Sequence, residues 1–215
     1  MSWGIIQWNF GQDTLGPLLR RMKTADINSF NGAFSNATDL TTLNTALAGT
    51  KNQQMSWAID MQTNKNQRWK DIFKNLASIA EFQEIQLEAV AVYDKSAIKI
   101  IKWMKQQKPD LMNGVKLATF VALHDLAIQQ GGLKNSKPAI ITEINAKPPN
   151  SQDEFIRIVV TKRGETASSR WRADCISRRL GILNKKRTKI TRKGYTADRD
   201  NPSFDIIEDV IVCDL

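Results

Sequence analysis

The sequence has little that could hold a metal ion or a covalent framework. Among 215 residues there is one histidine, His124, and only two cysteines, Cys175 and Cys213. No Cys/His spacing of the zinc-ligating kind occurs, so no metal site is expected. The two cysteines could pair, but too few are present for a disulfide framework, and the reading adopted is two buried free thiols. Long hydrophobic runs are also missing. Nothing approaches the roughly 18 apolar residues of a membrane-spanning helix, so no membrane span is expected. The first residues show no charged stretch ahead of an apolar one and no small-residue cleavage site, so a secretory signal is not expected either. Acidic residues are scarce where basic ones are dense. The net charge is +9, and 13 of the 31 Lys and Arg residues fall between Lys162 and Arg199 against three acids, Glu165, Asp174 and Asp198. That imbalance points to an anionic partner, whether nucleic acid, a membrane surface or an acidic cell-wall polymer, or else to a solvated basic face.

What is present is ordinary for a globular chain: 41% hydrophobic and 25% charged residues, enough for a sizeable core. The chain is read as one domain over 1–215, with the basic part 162–199 inside it. "TLGPLLRRM" predicts a short helix with Asp13 or Thr14 as N-cap and Pro17 in its first turn. "ATDLTTLNTAL" predicts an amphipathic helix begun by Thr38 or Asp39. Trp57, Met61, Trp69, Phe73, Leu76, Ile79 and Phe82 recur mostly at three- and four-residue steps, a long helical pattern. "IQLEAVAVYDKSAIKIIKWM" reads as a central helix ended near Pro109, and "VKLATFVALHDLAIQQ" as a buried helix closed by Gly131 and Gly132. "KPAIITEINAKPPNS" reads as a connector. "SQDEFIRIVVTKRGE" opens with capping-box spacing from Ser151 to Glu154. "SSRWRADCISRRLGIL" reads as a helix with Trp171, Cys175 and Ile176 on its apolar side, and "FDIIEDVIVCDL" as a strand or extended tail. The expectation is a mainly α fold with little room for a sheet.

Four stretches in order, "SWGIIQWNFGQDTLGPLL", "FQEIQLEAVAVYDKSA", "VALHDLAIQQGGL" and "SSRWRADCISRRLGILN", resemble the chitosanase-like glycoside hydrolases of family 46 and their peptidoglycan-cleaving relatives. The resemblance implies a lysozyme-like fold with long central helices and a minimal or incomplete β-hairpin. It implies a β-1,4-linked amino-sugar polymer as partner, peptidoglycan before chitosan, and a cell-wall setting for a phage or antibacterial effector protein. Hydrolysis of that bond, as the resemblance implies it, uses water and two flanking carboxyl groups with no cofactor. In the group resembled, both precede the S-W-G-x-x-Q element, where this sequence shows only Met1. Three readings therefore stand: a shortened active hydrolase, a form that binds glycan without cutting, or recruitment of other acids.

Asp13 is the first such recruit to consider, beside its reading as N-cap; Glu81, Glu84 and Glu88 are read as an exposed helical face. By resemblance Ser2 is a water-positioning candidate. Trp3, Gln7 and Asn9 are substrate-binding candidates, since on one strand Gln7 and Asn9 would share a face; the same amides could instead bond their own turn. Asp125, in an apolar helix, must be paired if buried, with Arg178 or Arg179 available. It is read as structural or groove-orienting, and Gln129 and Gln130 as groove-facing. His124 is read as a core histidine. The alternative to glycan recognition is a nucleic-acid or cell-wall binding module built on the basic segment, against which stand the absence of a binding motif and the reading of Trp171 as a core residue.

Overall fold

The computed structural model describes residues 2–64, 67–205 and 211–213. The chain is mainly helical with minimal β structure, as its apolar periodicity predicts. It divides into two compact units, Met1–Ala91 and Val92–Leu215.

The first unit begins with a small antiparallel hairpin, β1 (Ser2–Trp3) and β2 (Trp8–Asn9), with Ser2 opposite Asn9 and Trp3 opposite Trp8. Helices α1 (Leu15–Ala25), α2 (Ile27–Gly32), α3 (Ala37–Ala48), α4 (Lys51–Thr63) and α5 (Gln67–Ala77) follow, and α6 (Ala80–Gln107) contains the boundary between the units. Pro17 lies in the first turn of α1, where its missing N–H costs nothing. Thr14 is the N-cap residue but its hydroxyl bonds the backbone of Asn9 instead of the helix, while Asp13 is exposed with φ +56°. Asn36, and neither Thr38 nor Asp39, caps α3: its side chain accepts from the Asp39 N–H. The long pattern from Met55 is broken into α4, α5 and the first turn of α6, which holds Phe82; Thr50 and Gln53 form a capping box that starts α4 and Asn64 ends it.

Aromatic rings dominate this unit's core. Trp69 meets Trp57 edge-on with centroids 4.9 Å apart, Phe34 at 6.4 Å and Phe73 at 6.4 Å; Phe30 meets Phe82 at 6.2 Å. Leu15, Leu19, Met22 and Leu43 fill the space around them without exposure to solvent.

The second unit is built on α7 (Leu117–Gln130), α8 (Lys137–Ala146), α9 (Gln152–Glu165) and α10 (Ser169–Asn184) together with the C-terminal part of α6. Its core is mainly aliphatic: Ile100, Ile101, Leu123, Leu126, Ile140, Ile156, Val159, Val160 and Ile182 form one cluster around the buried ring of Phe155. "KPAIITEINA", expected as a connector, is helix α8. Pro138 falls in its first turn, and Ile140 and Ile144 are buried four residues apart on one face. Ser151 caps α9 by accepting from the Glu154 N–H, while the Glu154 carboxylate accepts from Asn150 N one residue further back than a capping box requires.

The expectation of little sheet holds in amount but misses one element. β4 (Thr188–Arg192) and β5 (Tyr195–Arg199) pair over five positions around a two-residue turn. Lys193 and Gly194 both have positive φ, 51° and 81°, the conformation that closes a right-twisted hairpin. A two-residue strand, β3 (Val115–Lys116), pairs with β6 (Ile211–Cys213), so part of the C-terminal tail is a strand. Trp171, expected in the core, is half exposed. Cys175 is a buried free thiol, and the side chain of Cys213 lies outside the described residues. Among the described residues no helix is long and apolar enough to cross a membrane.

Candidate functional site

The opening motif forms a hairpin clasped from outside. Gly4 has φ +81°, and a Cβ there would come within 2.4 Å of Gln86 Oε1 and 2.7 Å of the Trp8 ring, so only glycine fits. Buried Gln86 uses that oxygen to accept from the Ile5 N–H at 3.2 Å. Trp3 donates its indole N–H to Phe73 O on α5 at 2.9 Å, with the two rings 5.4 Å apart. Gln7 does not share a strand face with Asn9. It sits in the Gly4–Gln7 turn at φ +59°, exposed, because the hairpin closes there through a bond from Gln7 N to Gly4 O. Asn9 bonds its own loop: its oxygen accepts from Gln12 N at 2.8 Å, and its amide N–H donates to Gln12 Oε1 at 3.2 Å. Ser2 pairs with Asn9 through the backbone, and its side chain lies outside the described residues.

This hairpin backs the α3–α4 region. The Phe10 ring meets Trp57 edge-on at 5.8 Å. Trp57 is thus held between Phe10 and Trp69, both near-perpendicular to it. It forms one wall of a pocket of about 600 Å³, the size range of small-ligand sites. One face of α3, bearing Thr38, Thr41, Thr42 and Thr45, also lines it, as does Gln53 of α4.

Each of these groups has hydrogen-bonding capacity to spare. Thr42 donates to Thr38 O at 2.8 Å and Thr45 to Thr41 O at 2.9 Å, which leaves both hydroxyl oxygens able to accept. Gln53 accepts from Thr50 N through Oε1, and its Nε2 has no partner among the described residues. The Trp57 indole N–H is buried and also unpartnered. None of the lining side chains carries a charge.

The threonine face was legible as T-x-x-T-T-x-x-T, the i, i+3, i+4, i+7 spacing of one helical face. Hydroxyls carry no apolar period, so hydropathy patterning does not mark it. Threonine also costs up to about 0.7 kcal/mol relative to alanine in a helix, so four on a largely exposed face are not there for helix stability.

The acidic groups of this unit stand outside the pocket lining. Asp39 is buried and held by Arg68 at 2.9 Å and by the Asn36 amide at 2.7 Å. Glu88 pairs with Arg21, and Glu81, Glu84 and Glu88 are exposed. The Asp13 side chain has no partner among the described residues. At Asp26, hydrogen bonds from the Ser29 hydroxyl and backbone N–H hold the carboxyl below its usual range.

The other predicted residues meet in the second unit around Arg179, which is fully buried. Arg179 donates through Nε to Asp125 Oδ2 at 3.1 Å, through Nη1 to Gln130 Oε1 at 2.6 Å and through Nη2 to Gln129 Oε1 at 2.7 Å. Arg178 donates to the other Asp125 oxygen. Gln129 passes the network on to Asp174 at 3.1 Å, and Arg199 of β5 closes it on the second Asp174 oxygen. Arg163 ties in from α9 through Gln130 O at 2.8 Å.

The helix-to-helix tie expected from Asp125 is present, and both arginines supply it. Gln129 and Gln130 are engaged in the same network. Burial lowers the Arg179 pKa, against the opposing pull of Asp125; for Arg178, burial is outweighed by Asp125 and the value rises. Burial also pushes the neighbouring Cys175 thiol up. His124 is partly buried, stacked on Phe120 at 6.1 Å, with Nε2 3.1 Å from Asp94 Oδ1 but without hydrogen-bond alignment.

Among the described residues no group of three or more His, Cys, Asp and Glu side chains is placed to hold a metal ion. Comparison with known proteins found no matching protein family, no matching curated protein and no matching solved structure, so the glycoside-hydrolase resemblance rests on the residues of the sequence alone.

Proposed function

We propose that the Met1–Ala91 unit recognises a β-1,4-linked amino-sugar polymer in the α3–α4 pocket and binds it without cutting. The observation that carries this reading is that four threonines and a tryptophan held between two rings line one pocket of about 600 Å³. A sugar ring presents hydroxyls on its rim and C–H groups on its faces. The threonine hydroxyls and the Gln53 amide suit the rim, and the indole suits a face.

An uncharged lining offers no counter-charge to the ammonium groups of chitosan, and the net charge of +9 opposes a polycation. N-acetylated, net-anionic peptidoglycan is compatible with both features, and on this reading the protein acts at the cell wall. Cleavage would need two carboxyl groups flanking the bond, about 5–9.5 Å apart. No lining residue provides one.

Co-sedimentation with purified peptidoglycan tests the reading. The chain is expected to pellet with the polymer and to leave the turbidity of a cell-wall suspension unchanged. Thr41→Val with Thr45→Val removes two acceptors without changing shape and is expected to weaken binding about tenfold or more, at roughly 0.5–1.5 kcal/mol per bond. Clearing of the suspension, or binding indifferent to both threonines, would overturn it.

A further inference from the structure

The second unit carries a surface that glycan recognition leaves unused. Of the 13 basic residues in 162–199, Arg163, Arg178, Arg179 and Arg199 belong to the buried network. Lys162 pairs with Glu143 at 2.9 Å, and Arg187 and Arg192 face Asp200 and Glu165 at 3.9 Å. Lys185, Lys186, Lys189 and Lys193 are exposed with no ion pair among the described residues, and so is Arg170. The excess charge therefore lies on the β4–β5 ribbon, its approach from α10 and the first turn of α10. Asp198, across the ladder from Lys189, is the acid on the ribbon itself.

Two further observations give this patch a chemistry. The exposed large hydrophobic side chains include just two aromatics among the described residues, Trp171 (48%) and Tyr195 (47%), and both fall inside the basic segment. The Arg170 guanidinium lies over the Trp171 ring, 5.0 Å from its centroid. The ribbon is also rigidly held. Ser177 Oγ donates to Thr188 O at 2.7 Å and accepts from Arg199 N at 3.1 Å, and Arg199 is clasped by Asp174. Lys189, Thr191 and Thr196 share the outer face of the ribbon, the two hydroxyls 2.9 Å apart. Tyr195 stands on the other face at the turn end, so a strand engaging both faces passes around the Lys193–Gly194 tip.

We infer that this surface binds single-stranded nucleic acid. Lysines on a fixed ribbon neutralise phosphates, and threonine hydroxyls add phosphate contacts. Trp171, Tyr195 and the Arg170 plane offer stacking surfaces to unpaired bases. A duplex hides the base faces that such surfaces need. The inference stands independently of the glycan reading, which concerns the other unit.

Fluorescence anisotropy of the full chain with a labelled 20-nucleotide oligothymidylate, a duplex of the same length and heparin tests it. The single strand is expected to bind more tightly than the duplex, with log K falling against log salt at a slope of about −3 for four or five phosphates. Combined Lys186→Gln, Lys189→Gln and Lys193→Gln is expected to flatten that slope by about 2. Trp171→Ala and Tyr195→Ala are each expected to weaken binding about tenfold with the slope unchanged. Both positions are exposed, and an unchanged thermal melt checks that the fold is kept. Equal affinity for heparin and duplex with the aromatic variants unaffected, or no binding in 50 mM salt, would overturn the inference.

Discussion

The two units hold themselves together by different means. In Met1–Ala91, rings pack on rings: Trp3, Phe10, Phe30, Phe34, Trp57, Trp69, Phe73 and Phe82 form a continuous set of tilted and edge-on pairs. In Val92–Leu215 the core is mainly aliphatic, and a fully buried arginine with two buried carboxylates ties α7 to α10 and the β4–β5 ribbon. Ring packing is sensitive to volume and tolerant of charge elsewhere. A buried ion network is sensitive to the loss of one charge even when shape is kept, because the remaining partner stays buried and uncompensated. The difference has a functional side. The ring lattice fixes one tryptophan as the wall of an uncharged pocket, and the ion network fixes a ribbon that displays charge.

The sharpest test of the comparison is a pair of substitutions. Asp125→Asn preserves shape but leaves Arg178 and Arg179 without their carboxylate, and is expected to cost about 3–5 kcal/mol in urea denaturation. Phe30→Leu, which removes ring volume from a residue with no exposure, is expected to cost about 1–2 kcal/mol. A reversed order would break the distinction. Next in size is Gly164→Ala, since a Cβ there would approach Ile176 Cγ1 to 2.4 Å. The α9–α10 approach would have to open, at about 1–3 kcal/mol, read as a lower urea midpoint with unchanged slope. Trp3→Phe keeps the ring against Phe73 and deletes the bond to Phe73 O, for about 1 kcal/mol by the same measurement.

The smallest effect concerns pH. Burial raises the Cys175 thiol, so the folded chain keeps a proton that the unfolded chain loses above about pH 8.5. The unfolded state then binds fewer protons, and stability falls as pH rises through that value. In a Cys213→Ser background the native protein is expected to resist a thiol reagent at pH 8, and the further change Cys175→Ser to reduce the alkaline fall in stability. Rapid modification of the native thiol would show that Cys175 is not sealed in.

Much of the helical fold was legible because burial writes a period into the sequence. "VALHDLAIQQGG" announced both a buried helix and its glycine stop, and a carboxylate in such a helix demanded a partner that the Arg-rich "SRRLG" could provide. The β4–β5 ribbon was not legible by alternation. Its one apolar cross-strand pair, Ile190 and Ala197, is only partly buried, so the hydrophobic signal is faint. Its readable mark was the Lys193-Gly194 turn. Helix α8 is masked in the sequence because "KPAIITEINAKPP" is bracketed by prolines, although proline is favoured in a helix's first turn, where Pro138 lies. Trp171 was misplaced because its apolar neighbours Cys175 and Ile176 suggested a shared buried side, while the first turn of α10 stands clear of the core. The pocket escaped notice since two of its defining features, a threonine face and a locked indole, come together only when α3 and α4 pack.

The claim that the pocket receives sugar is tested most directly by following backbone and indole N–H resonances while tetra-N-acetyl-chitotetraose or a muropeptide is added. The account predicts shifts at the Trp57 indole, at Gln53 and along Thr38, Thr41, Thr42 and Thr45, all sharing one dissociation constant and lost together in the Thr41→Val, Thr45→Val protein. Shifts confined to other residues, or none at millimolar sugar, would contradict it.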